Sequence, residues 1–167
     1  MMKTAIQGEK GSFHEVAARL FFEDETIDIV PCTTFDLTLL AVKEGNADFA
    51  AMAIENARSG SILSNYTLIR ESGMKIIGEI NLRIKQNLMA LPGQQLIAIR
   101  EIRSHPIALS QCMTYLSHLR GVTLVETDDT AGSARYISEN NLKGVGTVES
   151  ASAAEIYVLE ILAPGIE

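Results

Sequence analysis

Along the chain, short apolar runs alternate with longer stretches in which apolar positions recur every three or four residues. Residues 3–8 (KTAIQG) predict a strand, and 12–22 (SFHEVAARLFF) predict a helix with Phe13, Val16, Ala17, Leu20 and Phe21 on one face. A second strand is predicted at 26–32, where TIDIVPC alternates with period two, and a second helix at 34–45 closes on Gly45. The third strand, 47–56 (ADFAAMAIEN), is almost wholly apolar until its last two residues, as for a strand covered on both sheet faces. These elements make a βαβαβ unit.

A helix at 61–73 leads into a long alternating segment, Met74 to Leu91, which predicts one extended stretch leaving the first sheet for a second. A strand near 99–104, a helix from Pro106, a strand at 122–127, a helix at 129–140 and a strand at 144–150 complete a second α/β unit. Residues 151–167 predict one last helix, with Ile156, Leu159 and Leu162 on its apolar side, returning to the first lobe. The predicted fold class is therefore α/β in two lobes, residues 1–79 with 151–167 and residues 80–150, with a cleft between them. Ligands of open α/β sheets bind outside the carboxyl ends of the strands, so the chemistry is expected there.

Charge and composition narrow the function classes. The formal net charge is −7 and the 14 Lys and Arg residues form no cluster, which removes the electrostatic footprint of a nucleic-acid binder. No apolar run approaches the ~20 residues of a membrane span. The N-terminus lacks a signal-peptide core, so a cytoplasmic protein is expected. Cys32 and Cys112 lie far apart in apolar contexts and are expected to be buried. His14, His105 and His118 match no zinc spacing, so neither a metal nor any other cofactor is expected.

Four polar stretches fall at strand-to-helix junctions. In GEKGSFH (Gly8 to His14), two glycines permit close backbone approach and Ser12 can cap the helix, which describes a plain turn as well as an anion site. In AIENARSGSI (Ala53 to Ile62), Glu55 and Asn56 end the apolar strand and Ser61 can cap the next helix. In SHPIALSQC (Ser104 to Cys112), Ser104 or His105 can cap and Pro106 suits the first turn. There Leu109, Cys112, Met113 and Leu116 form the buried stripe, and Gln111 lies off it, open to water or to the cleft. In ETDDTAGSA (Glu126 to Ala134), Asp129 and Thr130 are both capping residues.

Together these stretches resemble prephenate dehydratase. GEKGSFH is loosely similar to that family's Gly-Pro-x-Gly-Thr-Phe-Ser opening, AIENARSG to its Pro-x-Glu-Asn-Ser-x-x-Gly stretch, and SHPIALSQC to its Ser-His-Pro-x-Ala-Leu-x-Gln-Cys stretch. TDDTAGSA is similar to its Ser/Thr-rich loop, and ESASAAEIYVLEILAPGIE to its Ala-Ser-x-x-Ala-Ala-x-x-Tyr-x-Leu helix. The resemblance covers nearly all of the chain. It implies two α/β lobes of the type II periplasmic-binding-protein kind, a homodimer or higher homo-oligomer, and dehydration with decarboxylation of prephenate to phenylpyruvate without a cofactor.

The resemblance also implies site residues: Glu55, Asn56, Gln111 and Thr130 as catalytic, and Ser12, Phe13, Gly60, Ser61, Ser104 and Ser150 as substrate-binding. Departures from the family pattern are Ala57 for Ser or Thr, Ile107 for a frequent Gln, and Glu149 for a small residue. Family members continue into a strand carrying Thr-Arg-Phe, whose threonine is thought to be the main acid; the sequence reaches Glu167 before that strand, and feedback through an ACT domain is not expected. Two alternatives stand beside prephenate dehydration. One is a preference for arogenate, which differs by an amino group; the other is a clamp that binds a small carboxylate with little or no turnover.

Overall fold

The structure, a computed structural model, describes residues 1–23, 26–57 and 60–167. They form two compact units, Met1–Glu9 with Phe13–Leu82, and Lys10–Ser12 with Arg83–Glu167.

The first unit is built on three parallel strands, β1 (Lys3–Gln7), β2 (Asp28–Cys32) and β3 (Phe49–Ala51), in the order β2-β1-β3. Two helices, α1 (Phe13–Phe22) and α2 (Phe35–Lys43), connect them. Consecutive strand residues face opposite ways, and both Ala5 and Ile6 of the central strand are fully buried. Ile6 packs with Ala18 of α1, Ile27 and Ile29, while Ala5 packs with Ala41 of α2 and with Ala47. Apolar cover on both faces is what the unbroken apolar runs of the sequence anticipate.

The third strand is shorter than its apolar run. It stops at Ala51, and Glu55–Asn56 forms a separate short strand, β4, paired antiparallel with β5 (Gly60–Ser61). The next helix, α3 (Leu63–Ser72), starts two residues after Ser61, with Ile62 in the cap position and no side-chain cap, so Ser61 does not cap it. The alternation from Met74 onward does not become one long strand. Only Asn87–Ala90 forms one (β6), and residues 74–86 join no ladder. Ile76 and Ile77 are both exposed there. Alternation yields a strand only where a neighbour offers its backbone groups, and no described strand borders this segment.

In the second unit β6 is joined by β7 (Glu101–Ser104), β8 (Thr123–Glu126), β9 (Val145–Glu149) and β10 (Glu160–Ala163) in the order β10-β6-β9-β7-β8. β7 runs parallel to β8 and β9, and β6 runs antiparallel to β9 and β10. Leu88, Ile102 and Val148 pack with Leu109 and Cys112 of the helical stretch formed by α4 (Pro106–Gln111) and α5 (Met113–Leu116). Met89 belongs to a second core with Ala134 and Ile137 of α6 (Thr130–Glu139) and Ala153 and Ala154 of α7 (Ala151–Ile156).

Three further sequence expectations change. The helix from Pro106 breaks at Cys112, and Met113, expected in the buried stripe, is exposed where α5 begins, while Leu109, Cys112 and Leu116 are buried. Cys32, expected to be buried, is only partly so; Cys112 is buried, and neither cysteine is in a disulfide. The last helix ends at Ile156, Val158 takes a left-handed φ of 53°, and Glu160–Ala163 becomes a strand. Residues 151–167 thus belong to the second unit rather than returning to the first, because β10 covers the open edge of β6.

The segment Lys10–Ser12 is held in the second unit by backbone acceptors: the Ser150 hydroxyl donates to the Gly11 carbonyl at 2.6 Å and the Tyr157 hydroxyl to that of Lys10 at 2.8 Å. Gly11 has a φ of +90°, and a Cβ there would lie 2.8 Å from the Ala153 Cα. Gly11→Ala therefore combines a strained backbone with an overlap against backbone, and is expected to destabilise the protein by about 1–3 kcal/mol or more, read as a lower urea midpoint. An unchanged midpoint would show that the contact does not constrain this turn.

Candidate functional site

The polar residues singled out from the sequence fall into separate groups. In the first unit, Glu55, Asn56, Gly60 and Ser61 share the β4-β5 hairpin. Arg58 and Ser59 of the same stretch lie outside the described residues. The Glu55 carboxylate is exposed, and its Oε1 accepts from the Tyr66 hydroxyl of α3 at 3.0 Å and from the Ser61 hydroxyl at 3.4 Å. That bond to Glu55 is the main reason the Tyr66 phenol is raised above its ordinary range. Glu55 therefore anchors the hairpin to α3. Asn56 is half-buried beside it. Asn65, which the sequence reading passed over, is buried in α3 and donates to the Ala53 carbonyl at 2.7 Å, fixing the chain just before the hairpin. Phe13 opens α1 and is half-buried.

In the second unit, Ser104 ends β7, is fully buried and donates to the Val148 carbonyl at 2.8 Å, which ties β7 to β9. His105, not Ser104, caps α4: its Nδ1 accepts from the Ile107 N–H at 3.2 Å, with Pro106 in the first turn. Gln111 does not face water. Only 8% exposed, it accepts through Oε1 from the Gln86 side-chain amide at 3.0 Å, and the Oε1 of Gln86 has no partner. Helical angle alone could not reveal this, because the buried partner comes from the stretch that enters β6.

Ser12 was expected to cap α1, yet its hydroxyl is buried without a hydrogen-bond partner. Nearby in the chain, Gly11 is bonded to Ser150, which also caps α7 by accepting from the Ala153 N–H at 3.2 Å. Asp129 caps α6 by accepting from the Gly132 N–H at 2.9 Å, which leaves Thr130 as the first helical residue, half-buried.

Glu149 joins these groups. It ends β9 with no exposed surface, its Oε1 accepts from the Ser150 N–H at 2.7 Å, and its Oε2 has no hydrogen-bond partner. Burial raises its carboxyl to about 7, against the opposing effects of the Thr130 hydroxyl and the Ser150 N–H, and the Asp129 charge pushes the same way as burial. The sequence marks Glu149 as an acidic residue where the family pattern has a small one; its raised carboxyl needs the surrounding elements. Thr130, Glu149 and Ser150 are thus brought together, whereas Gln111 and Ser104 are engaged in bonds of their own.

A carboxyl held at about 7 in the fold, against an ordinary value of 4.5, binds its proton more tightly in the folded chain. Stability from this group is complete below about pH 4.5 and is lost as pH rises toward and through 7. Glu149→Gln removes that loss: the variant is expected to gain up to about 3 kcal/mol over the parent at pH 8 and to show a flatter stability curve between pH 5 and 8 in urea titrations. Parallel curves for the two proteins would show that Glu149 ionises at its ordinary value.

The sequence model described as Prephenate dehydratase matches residues 4–167. The chain is 39% identical to Arogenate dehydratase 1 of Petunia hybrida over 99% of its own length and 39% of the relative's. It is 38% identical to "Arogenate dehydratase/prephenate dehydratase 6, chloroplastic" of Arabidopsis thaliana over 99% of its own length and 40% of that protein. The chain spans about two fifths of the curated relatives it matches. Among solved structures, one titled "GqqA- a novel type of quorum quenching acylases" is 35% identical with a TM-score of 0.88, covering 99% of this chain and 59% of that one. The prephenate dehydratase of Arthrobacter aurescens, solved with L-Phe, is 28% identical with a TM-score of 0.88, covering 99% of this chain and 55% of that one. A match across residues 4–167, nearly the whole chain, makes this chain a member of the prephenate dehydratase family.

Proposed function

We propose that this chain is the dehydratase portion of an enzyme of aromatic amino-acid biosynthesis, a lyase that converts prephenate to phenylpyruvate. The match of the family across residues 4–167 carries this reading. In the reaction the ring carboxylate leaves as CO2, the ring hydroxyl leaves as water, and the electron pair of the broken C–C bond completes the aromatic ring. The protein must hold an anion and deliver one proton to a poor leaving group. Hydroxyls, amides and a neutral carboxyl suit both tasks.

Arogenate is the competing substrate, supported by the names of the Petunia and Arabidopsis relatives. It differs by carrying an ammonium group, so a preference for it calls for an acceptor near that group. Glu55, exposed and acidic, is the residue of the proposed set that suits an ammonium better than a second carboxylate. The proposal places the protein in the cytoplasm, where two cysteines outside any disulfide are at home. Among the described residues, no helix is long and apolar enough to cross a membrane.

Purified protein given prephenate or arogenate is expected to form phenylpyruvate or phenylalanine, with CO2, in one of the two assays. Asn56→Ala and Thr130→Val, both at half-buried positions, are each expected to lower kcat/KM on the preferred acid by about 10²-fold or more. Their unfolding midpoints should stay close to the parent's. Turnover of neither acid, or acylase activity in its place, would overturn the reading.

A further inference from the structure

Gln86 and Gln111 form a buried amide pair beside an apolar core. Gln86 stands two residues before Leu88, on the face of the sheet that packs against Leu109 and Cys112, and is 3% exposed. Its Nε2 donates to the Gln111 Oε1 at 3.0 Å, while its own Oε1 is buried without a hydrogen-bond partner. The backbone of Gln86 is fixed as well: its N–H donates to the Glu167 side-chain carboxylate at 2.8 Å and its carbonyl accepts from the Ile166 N–H at 2.9 Å. Two methionines would fill the same space and strand no oxygen, so stability does not account for the pair.

The place of the pair is one where a ligand of this sheet is expected. Asn87, the first residue of β6, is in register with Glu149, the last of β9, so Gln86 lies just past the carboxyl end of a strand that runs parallel to β7. Gln111 closes α4 in the SHPIALSQC stretch. An amide side chain can offer a neighbour either its oxygen or its N–H groups. With the Gln111 Oε1 turned to Gln86, the Nε2 end is turned the other way. An anionic ligand is repelled by the first end and held by the second.

We propose that Gln86 is a positioning residue, which takes up the Gln111 oxygen and thereby directs the Gln111 N–H groups at the substrate carboxylate that the reaction keeps. This rests on the dehydratase reading and adds to it the device that selects an anion at this amide. The ring carboxylate sheds its charge as it leaves as CO2, so a donor aimed at it would hold the ground state back. The side-chain carboxylate is present in the substrate and in the product alike, and a donor there strengthens ground and transition states equally. Gln86 acts through Gln111 alone, because its own amide oxygen is sealed from any ligand.

The test is steady-state kinetics on whichever acid the protein turns over, with urea midpoints measured alongside. Gln111→Met is expected to raise KM by about 10-fold or more with kcat little changed. Gln86→Met, which keeps the length of the side chain and loses the donor, should raise KM by a similar factor. Its urea midpoint should stay at the parent's, since it removes one stranded oxygen as it takes the donor from another. The double variant should have a KM no higher than that of Gln111→Met. Should Gln86→Met not fold, Gln86→Asn, too short to reach Gln111, gives the same reading. A parental KM in the Gln86 variant while Gln111→Met raises it, or a rise that adds to that of Gln111→Met in the double variant, overturns the positioning role. A parental KM in Gln111→Met overturns it too, by removing the contact that Gln86 serves, and each of these results leaves the dehydratase reading standing. A parent protein that turns over neither acid overturns both.

Discussion

A carboxyl group sealed from solvent at the end of a buried strand is the constraint around which the second unit is arranged. An ionised carboxylate there would cost several kcal/mol of lost hydration. The protein meets that cost by keeping the group neutral rather than by pairing it, since the charge acting on it is that of Asp129, which is also negative. The nearby hydroxyls and N–H groups divide their roles accordingly. Ser150 and its N–H bind the turn at Gly11, the helix α7 and the Glu149 carboxyl into one piece, and Thr130 is left at the accessible side.

The same economy explains why several candidate residues read as structural. Ser104 holds β7 to β9, Gln111 holds the segment before β6, and Glu55 holds the hairpin to α3. Each closes a hydrogen bond that the fold would otherwise leave open in a buried or strand-end position. Such bonds are compatible with a second task, and they set how far each side chain is able to move for it. Thr130 and Asn56, by contrast, sit at half-buried positions.

Much of the fold is legible in the sequence, and the failures have particular causes. β1, β2, α1, α2, β7, β8, α6 and β9 follow from periodicity because each is covered by its immediate chain neighbours. β10 does not, since Ile156, Leu159 and Leu162 repeat as in a helix and only the open edge of β6 makes a strand of Glu160–Ala163. Residues 74–86 fail in the opposite sense, alternating like a strand without a neighbour. The site divides in the same way. Motif spacing points to Asn56, Thr130 and Ser150, but the neutral Glu149, the Gln86–Gln111 bond and Asn65 beneath the hairpin arise from partners distant in the chain.

A carboxyl-carbon NMR titration of the parent protein, with Glu149→Gln to assign the resonance, measures directly whether Glu149 holds its proton near neutrality. A midpoint near 7 is the expected result. A midpoint near the ordinary value of 4.5 would contradict it, leaving an ionised carboxylate sealed at the end of β9.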